Sequence, residues 1–208
     1  MGSRFPDRNE EFDRLLPVSW RPKSEVHFTP VDVARRAAEL VVPHPTARVL
    51  DVGAAVGKFC LVAGAAHPRA EFVGIEQRAH LVEVARELAR RLTVPNVSFV
   101  HGDATELDWS RYDAFYFFNP FAEHLQRVIL DDTIELDRGY FVFYVDFVRQ
   151  RLAEARIGTR VVTYHGFGAA PPAGYALVVD EPAGSDRLLL WVKTEEVDPV
   201  HRIRDVCS

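Results

Sequence analysis

Cysteine is nearly absent from this chain: Cys60 and Cys207 are the only two in 208 residues. One lies within a small apolar run and the other near the C-terminal end. Two cysteines so placed make no disulfide framework and suit a reducing compartment. Lysine is almost as scarce, occurring at positions 23, 58 and 193, so arginine carries the positive charge. Long apolar runs are missing too. The best candidate, Tyr140 to Val148, is short and interrupted by Asp146, against the ~20 residues a membrane helix requires. The N-terminus is charged and has no apolar stretch of the signal-peptide kind. A soluble cytoplasmic protein is therefore expected. The net charge of −5 argues against a dedicated nucleic-acid binder. Gly57-Lys58 is followed by Phe59 rather than Ser or Thr, which excludes a P-loop and with it NTP hydrolysis. Repeats and low-complexity tracts are also lacking.

What is present is ordinary globular composition, 48% apolar and 26% charged, in a length that suits one domain with a proper core. The stretch Arg48 to Gly57 reads as a buried strand, a turn of small residues and the start of a helix. Such a turn lets backbone N–H groups approach a nucleotide-type ligand closely. Around it, strand and helix alternate. Strands are expected at Glu71–Glu76, Val97–His101, Tyr112–Phe118 and Arg160–Tyr164. Helices are expected at about Pro30–Val42, Lys58–Ala66, Gln77–Leu92 and Thr133–Arg156, with a short one before the last. Thr29 is the expected N-cap of the first, with Pro30 at its first turn and Asp32 as capping-box carboxylate. Tyr175–Asp180 and Arg187–Thr194 are β runs joined by a turn at Glu181–Asp186. Single helices between strands imply right-handed crossovers and a parallel sheet. Three parts follow: residues 1–28 as a lid or strap, 29–194 as the domain, and 195–208 as a polar tail. Within the first, Phe12, Leu15 and Leu16 share one side of a short helix.

In such sheets ligands bind beyond the carboxyl ends of the strands. Those ends carry Asp51 with Gly53, Ala55 and Gly57; Glu76 and Gln77; His101-Gly102-Asp103 with Ala104; Asn119-Pro120-Phe121; and Tyr164-His165. Together they resemble the class I S-adenosylmethionine-dependent methyltransferases over residues 28–194. Asp51-x-Gly53-x-Ala55-x-Gly57 is similar to the family's acidic-x-Gly-x-Gly-x-Gly loop, with Ala55 in place of the middle glycine. The resemblance implies a Rossmann-like three-layer α/β sandwich, a seven-stranded sheet of order 3-2-1-4-5-7-6, and S-adenosyl-L-methionine as cofactor. It implies further that the loop faces the methionine part, Glu76 takes the ribose hydroxyls, and Asp103 meets the adenine amine. The residue types suit a ribose diol and an amine, since carboxylates accept from both.

Asn119-Pro120-Phe121 resembles the Asn-Pro-Pro-aromatic motif of N-methyltransferases, one proline short, and the Asn–Phe pattern of Dot1-type histone-lysine methyltransferases. It implies that Asn119 and Phe121 hold a target nitrogen, so that catalysis is largely positioning. Phe28-Thr29-Pro30 is similar to a Phe-x-Thr-Pro segment of some N-methyltransferases that lines the methionine end. Against these stand the plainer roles of helix cap and turn. His27, Glu123, His124 and His165 are candidates for a general base, although lone histidines are more often loop or surface residues. The spacing of the histidines supports no metal site. The expected activity is methyl transfer to nitrogen, on a protein side chain or small amine rather than a nucleic acid. The rivals are a catalytically inactive cofactor-binding partner subunit and a nicotinamide-dependent oxidoreductase.

Overall fold

The structure, a computed structural model, describes residues 5–125 and 129–196. Cys207 and the tail beyond residue 196 lie outside the described residues. Seven strands form one sheet of order β3-β2-β1-β4-β5-β7-β6. They are β1 (Arg48–Val52), β2 (Glu71–Glu76), β3 (Val97–His101), β4 (Ala114–Phe118), β5 (Arg160–Tyr164), β6 (Tyr175–Ala183) and β7 (Asp186–Lys193). The first five are parallel. β7 runs antiparallel to both β5 and β6. Because β1 and β4 are central, both of their faces are covered, and Val49, Leu50, Phe115, Tyr116 and Phe117 are all fully buried. This is why β4 reads as an unbroken aromatic run instead of alternating.

The helices are α1 (Asn9–Asp13), α2 (Ser24–His27), α3 (Val31–Val41), α4 (Lys58–Ala66), α5 (Ala79–Leu92) and α6 (Arg138–Glu154). Apolar residues of α3, α4 and α5 join Val49, Phe72 and Tyr116 in one core layer. Those of α6 join Leu50, Val73, Phe115 and Phe117 in the other. β3 and β4 are linked by two 3-10 turns, Ala104–Glu106 and Trp109–Arg111, instead of a helix. Trp109 fills the space a helix would occupy, stacking on Phe115 at 4.8 Å and donating from its indole N–H to the Ala104 carbonyl. No helix among the described residues is long and apolar enough to cross a membrane.

Several local expectations change. Thr29 does not cap α3. Its hydroxyl turns inward to the Tyr116 hydroxyl at 3.0 Å, and the Val31 N–H finds Asn9 Oδ1 instead, at 3.1 Å. α6 begins at Arg138, where Asp137 accepts from the Gly139 N–H, not at Thr133. The hairpin turn is only Gly184-Ser185, since the strands run on through Pro182 and Asp186. Pro182 is tolerated because β6 is an edge strand. Arg78, expected within the Gln77–Leu92 helix, stands outside α5. It precedes the helix and is 5% exposed.

The N-terminal segment packs on the domain rather than standing off it. Phe12 and Leu16 are buried in the first core layer. Lys58, also buried, reaches from the start of α4 to Asp13 Oδ1 at 2.9 Å and Ser24 Oγ at 3.0 Å.

Candidate active site

A cavity of about 620 Å³ opens at the carboxyl ends of the parallel strands. Its floor is the loop after β1. Gly53, Ala55 and Gly57 have φ of 78°, 47° and 74°, so the loop is left-handed at alternate residues. A Cβ on Gly53 would lie 2.8 Å from Pro120 Cβ. Glycine here lets the β1 loop and the β4 loop touch. Ala55 keeps the conformation that a glycine would adopt freely, at some steric cost. It also donates its N–H to Glu76 Oε2 at 3.0 Å.

Glu76 ends β2 with 7% exposure. Its second oxygen accepts the Arg78 N–H at 3.0 Å. A carboxylate has about four acceptor positions. These two backbone bonds leave one on each oxygen, which is the pattern a vicinal diol requires. Burial raises the Glu76 pKa against the backbone hydrogen bonds and Arg78, which lower it. Arg78 in turn is held by Glu123 and Asp131, each at 2.8 Å. Burial opposes the ionised form of Asp131, but the bonds from Arg78 and Thr133 together bring it down to about 2.

Asp103 is already engaged. Oδ1 accepts from the Thr105 N–H and hydroxyl at 2.8 and 2.7 Å. Oδ2 accepts from Gln77 Nε2 at 2.9 Å and from the Tyr144 hydroxyl. Asp103 thus stands behind the wall, while Gln77, Ala104 and Tyr144 line the cavity. Burial, then Asp103, raises the Tyr144 hydroxyl to about 12, so it stays a donor.

Asn119, Pro120 and Phe121 line the same cavity. Asn119 has φ 46°, a conformation asparagine tolerates, and its N–H donates to the Gly166 carbonyl at 2.9 Å. Phe121 is buried and stacks on Tyr144, ring centres 5.1 Å apart.

Of the residues expected at a cofactor, Gly53, Ala55, Glu76, Gln77, Ala104 and Asn119 line the cavity, while Phe28, Thr29, Asp51, Gly57 and Asp103 do not. Phe28 and Thr29 are core residues; their neighbours Glu25, Val26, His27 and Pro30 line it instead. Asp51 is buried behind the loop, where it accepts from the Cys60 thiol at 3.4 Å, and burial raises its pKa to about 7. Tyr144 and the hairpin residue Ser185 were not foreseen. Tyr144 belongs to a helix whose apolar repeat marks packing, and Ser185 sits in a turn whose partners lie twenty residues back, so neither carries a local signal.

The donor set fits S-adenosylmethionine: a diol acceptor at Glu76 and glycine-permitted close backbone approach.

Comparison with known proteins agrees. Residues 43–136 match the family model described as a methyltransferase domain. The chain is 30% identical over 139 residues to a tRNA (guanine-N(7)-)-methyltransferase of Synechocystis. That match covers 66% of this chain and 58% of the relative, so the chain spans less than two thirds of the relative's length. Among solved structures it is similar to an RNA methyltransferase from Salinibacter ruber in complex with S-adenosyl-L-homocysteine. There the TM-score is 0.59 at 23% identity, covering 82% of this chain and 96% of that one. It is also similar to TrmN from Thermus thermophilus, TM-score 0.61 at 24% identity, covering 85% and 53%. Residues 43–136 are thus a methyltransferase domain, and the sheet order and the cleft at the strand ends are those of the class I S-adenosylmethionine-dependent methyltransferase fold.

Proposed function

We propose that the chain transfers a methyl group to the nitrogen of an amine, with Asn119, Pro120 and Phe121 as the acceptor site. The observation that carries this is the pairing of Asn119 with an acidic cavity. The Asn119 side chain is exposed and makes no hydrogen bond to any described residue, and among the described residues the lining it borders holds Glu25, Glu76 and Glu123 against Arg78. Burial keeps His27 and His124 below the usual histidine range, so they add no positive charge near neutral pH. Such a lining attracts a cationic amine and repels a polyanion.

When bound, S-adenosylmethionine supplies an electrophilic methyl group on a sulfonium. Glu76 would take its ribose hydroxyls, and the Gly53–Gly57 loop would lie along its amino-acid part. Asp103 acts through Gln77 and Tyr144, which it fixes on the wall. Asn119 Oδ1 accepts an N–H of the acceptor, and the peptide at Pro120 is braced on Gly53. Phe118, Phe121, Leu130 and Ile134 exclude water from the same cavity.

The Synechocystis relative supports a second reading, with an RNA base nitrogen as acceptor. A tritiated-methyl transfer screen over cell lysate, sorted into protein, small-molecule and nucleic-acid fractions, separates the two. Label in the first or second fraction is expected; label in RNA alone overturns the amine reading. Independently, Glu76→Gln should weaken S-adenosylhomocysteine by roughly 2–4 kcal/mol, since charge-assisted bonds to a diol are lost. Unchanged affinity in calorimetry would remove Glu76 from the ribose role.

A further inference from the structure

The tip of the β6–β7 hairpin brings a Ser–His–Asp arrangement to the acceptor side of the cavity. His165, directly after β5, has Nε2 3.1 Å from Ser185 Oγ and Nδ1 3.0 Å from Asp186 Oδ2. Ser185 Oγ is also 3.0 Å from the Tyr164 hydroxyl. The tip is shaped to sit here: a Cβ on Gly184 would fall 2.7 Å from Tyr164 Oη. His165 is itself held at φ 57°, an uncommon conformation for a residue with a side chain. The next residue, Gly166, accepts the Asn119 N–H. His165, Ser185 and Asn119 therefore line one cavity.

The groups facing this imidazole are Asp186 from β7, Tyr164 from β5 and the apolar ring of Phe118 from β4, 5.4 Å away. Glu25 and His27 of α2, and Glu123 and His124 after β4, line the same cavity. A carboxylate at Nδ1 fixes the tautomer with its proton on that nitrogen and leaves the Nε2 lone pair for the serine hydroxyl. In an acyl-transfer triad the backbone N–H groups near the serine would be left for an oxyanion. Here the Ser185 N–H is spent on Tyr164 Oη at 3.1 Å. The arrangement is suited to moving a proton, not to forming an acyl-serine.

We propose that His165, oriented by Asp186 and linked through Ser185, is the base that deprotonates an alkylammonium acceptor at Asn119. This rests on the amine reading above. An alkylammonium has no lone pair, so it must lose a proton before it can attack. One ammonium N–H bond breaks and its electron pair stays on nitrogen. The proton passes to Ser185 Oγ as the serine proton passes to His165 Nε2. Asp186 stabilises the imidazolium, which later returns the proton to water. Nothing is oxidised or reduced.

The test compares wild type, His165→Gln and Asp186→Asn in tritiated-methyl transfer to the amine-bearing lysate fraction. All three should bind S-adenosylhomocysteine within about threefold of each other in calorimetry. At about pH 7, His165→Gln should be slower by ~10²–10⁴-fold, the range of a lost general base. The deficit should shrink by about tenfold per pH unit as pH approaches the amine's own value near ~10.4, because solvent then removes the proton. As a readout without turnover, long-range ¹H–¹⁵N spectra should show His165 with its proton on Nδ1, and a mixture of tautomers in Asp186→Asn. A loss under about threefold, a pH-independent loss, or a proton on Nε2 in the wild type overturns the proposal. If the wild type labels no amine fraction, the amine reading itself fails. If it labels one and His165→Gln labels it equally, only the present proposal fails.

Discussion

Ala55 and Asp51 show how single residues tune the loop after β1. Ala55 occupies a left-handed conformation at φ 47°, which costs a residue with a Cβ roughly 1–2 kcal/mol. Glycine removes that cost but adds ~0.4–1 kcal/mol of unfolded-chain entropy. Ala55→Gly should therefore add up to ~1 kcal/mol of stability, read as a slightly higher urea midpoint, with the N–H bond to Glu76 kept. A lower midpoint would contradict the strain. Asp51 has the opposite character. Burial raises its pKa from 3.8 to about 7, so the folded state binds its proton more tightly than the unfolded chain does. Its contribution to stability is full below about pH 4 and is lost as pH rises to about 7. At 1.36 kcal/mol per unit the total loss is at most ~4 kcal/mol. Asp51→Asn should gain on the wild type across that window and run parallel to it above. Urea denaturation at several pH values checks this; a constant difference between the two proteins would mean that Asp51 is ionised throughout.

At the level of elements, the link between α4 and the N-terminal segment matters most. Lys58 Nζ is buried between Asp13 and Ser24 and lies 5.2 Å from the Phe12 ring centre. Burial lowers its pKa while Asp13 raises it. Lys58→Met leaves the half-buried Asp13 with the Ser24 hydroxyl but no cation, and a loss of ~1–3 kcal/mol is expected, less than for a fully buried pair. Because Glu25, His27 and Pro30 line the cavity, S-adenosylhomocysteine should bind more weakly and trypsin should cut sooner after Lys23. Unchanged cleavage rates would show that the segment is held by Phe12 and Leu16 alone. This link was not legible in the sequence, because its partners stand 34 and 45 positions apart and only the fold brings them together. The five parallel strands were legible, since each is a compact apolar run closed by a turn residue. The ends of elements were less so. Thr29 offered every local reason to cap α3, yet a buried hydroxyl needs a partner more than an accessible helix end does, and Tyr116 supplied one. Glu76 and Asn119 could be picked out because strand ends are predictable. Asp103 was picked out by the same rule, but its four bonds come from Thr105, Gln77 and Tyr144, and Tyr144 is beyond the reach of local reading.

At the scale of the whole molecule, charge bears on the acceptor. The chain carries −5 overall. Two of the arginines near α5 are tied down, Arg78 by Glu123 and Asp131 and Arg86 by the Phe99 carbonyl. A protein that binds RNA through phosphates loses affinity steeply with salt, with a log–log slope of ~0.7–0.9 per contact. For bulk tRNA in filter binding, little affinity at ~0.15 M salt and a shallow slope are expected. Tight binding with a steep slope would move the weight to the RNA reading.

The sheet order has one more consequence, in the order of synthesis. β7 is the last strand, yet it lies between β5 and β6. While a ribosome is still making residues 175–185, β6 has no neighbour to pair with, and the free edge of β5 is open to any passing strand. The hairpin must form first and zip onto β5 as a unit. Lys193 then fastens it, its buried amine binding the carbonyls of Ala153 and Ala155 at the end of α6. Every parallel strand, and Glu76 and Asn119 with them, is made before this happens. His165 waits for Ser185 and Asp186, so a nascent chain stalled short of the hairpin carries Glu76 and Asn119 in place but not the Ser185–His165–Asp186 cluster.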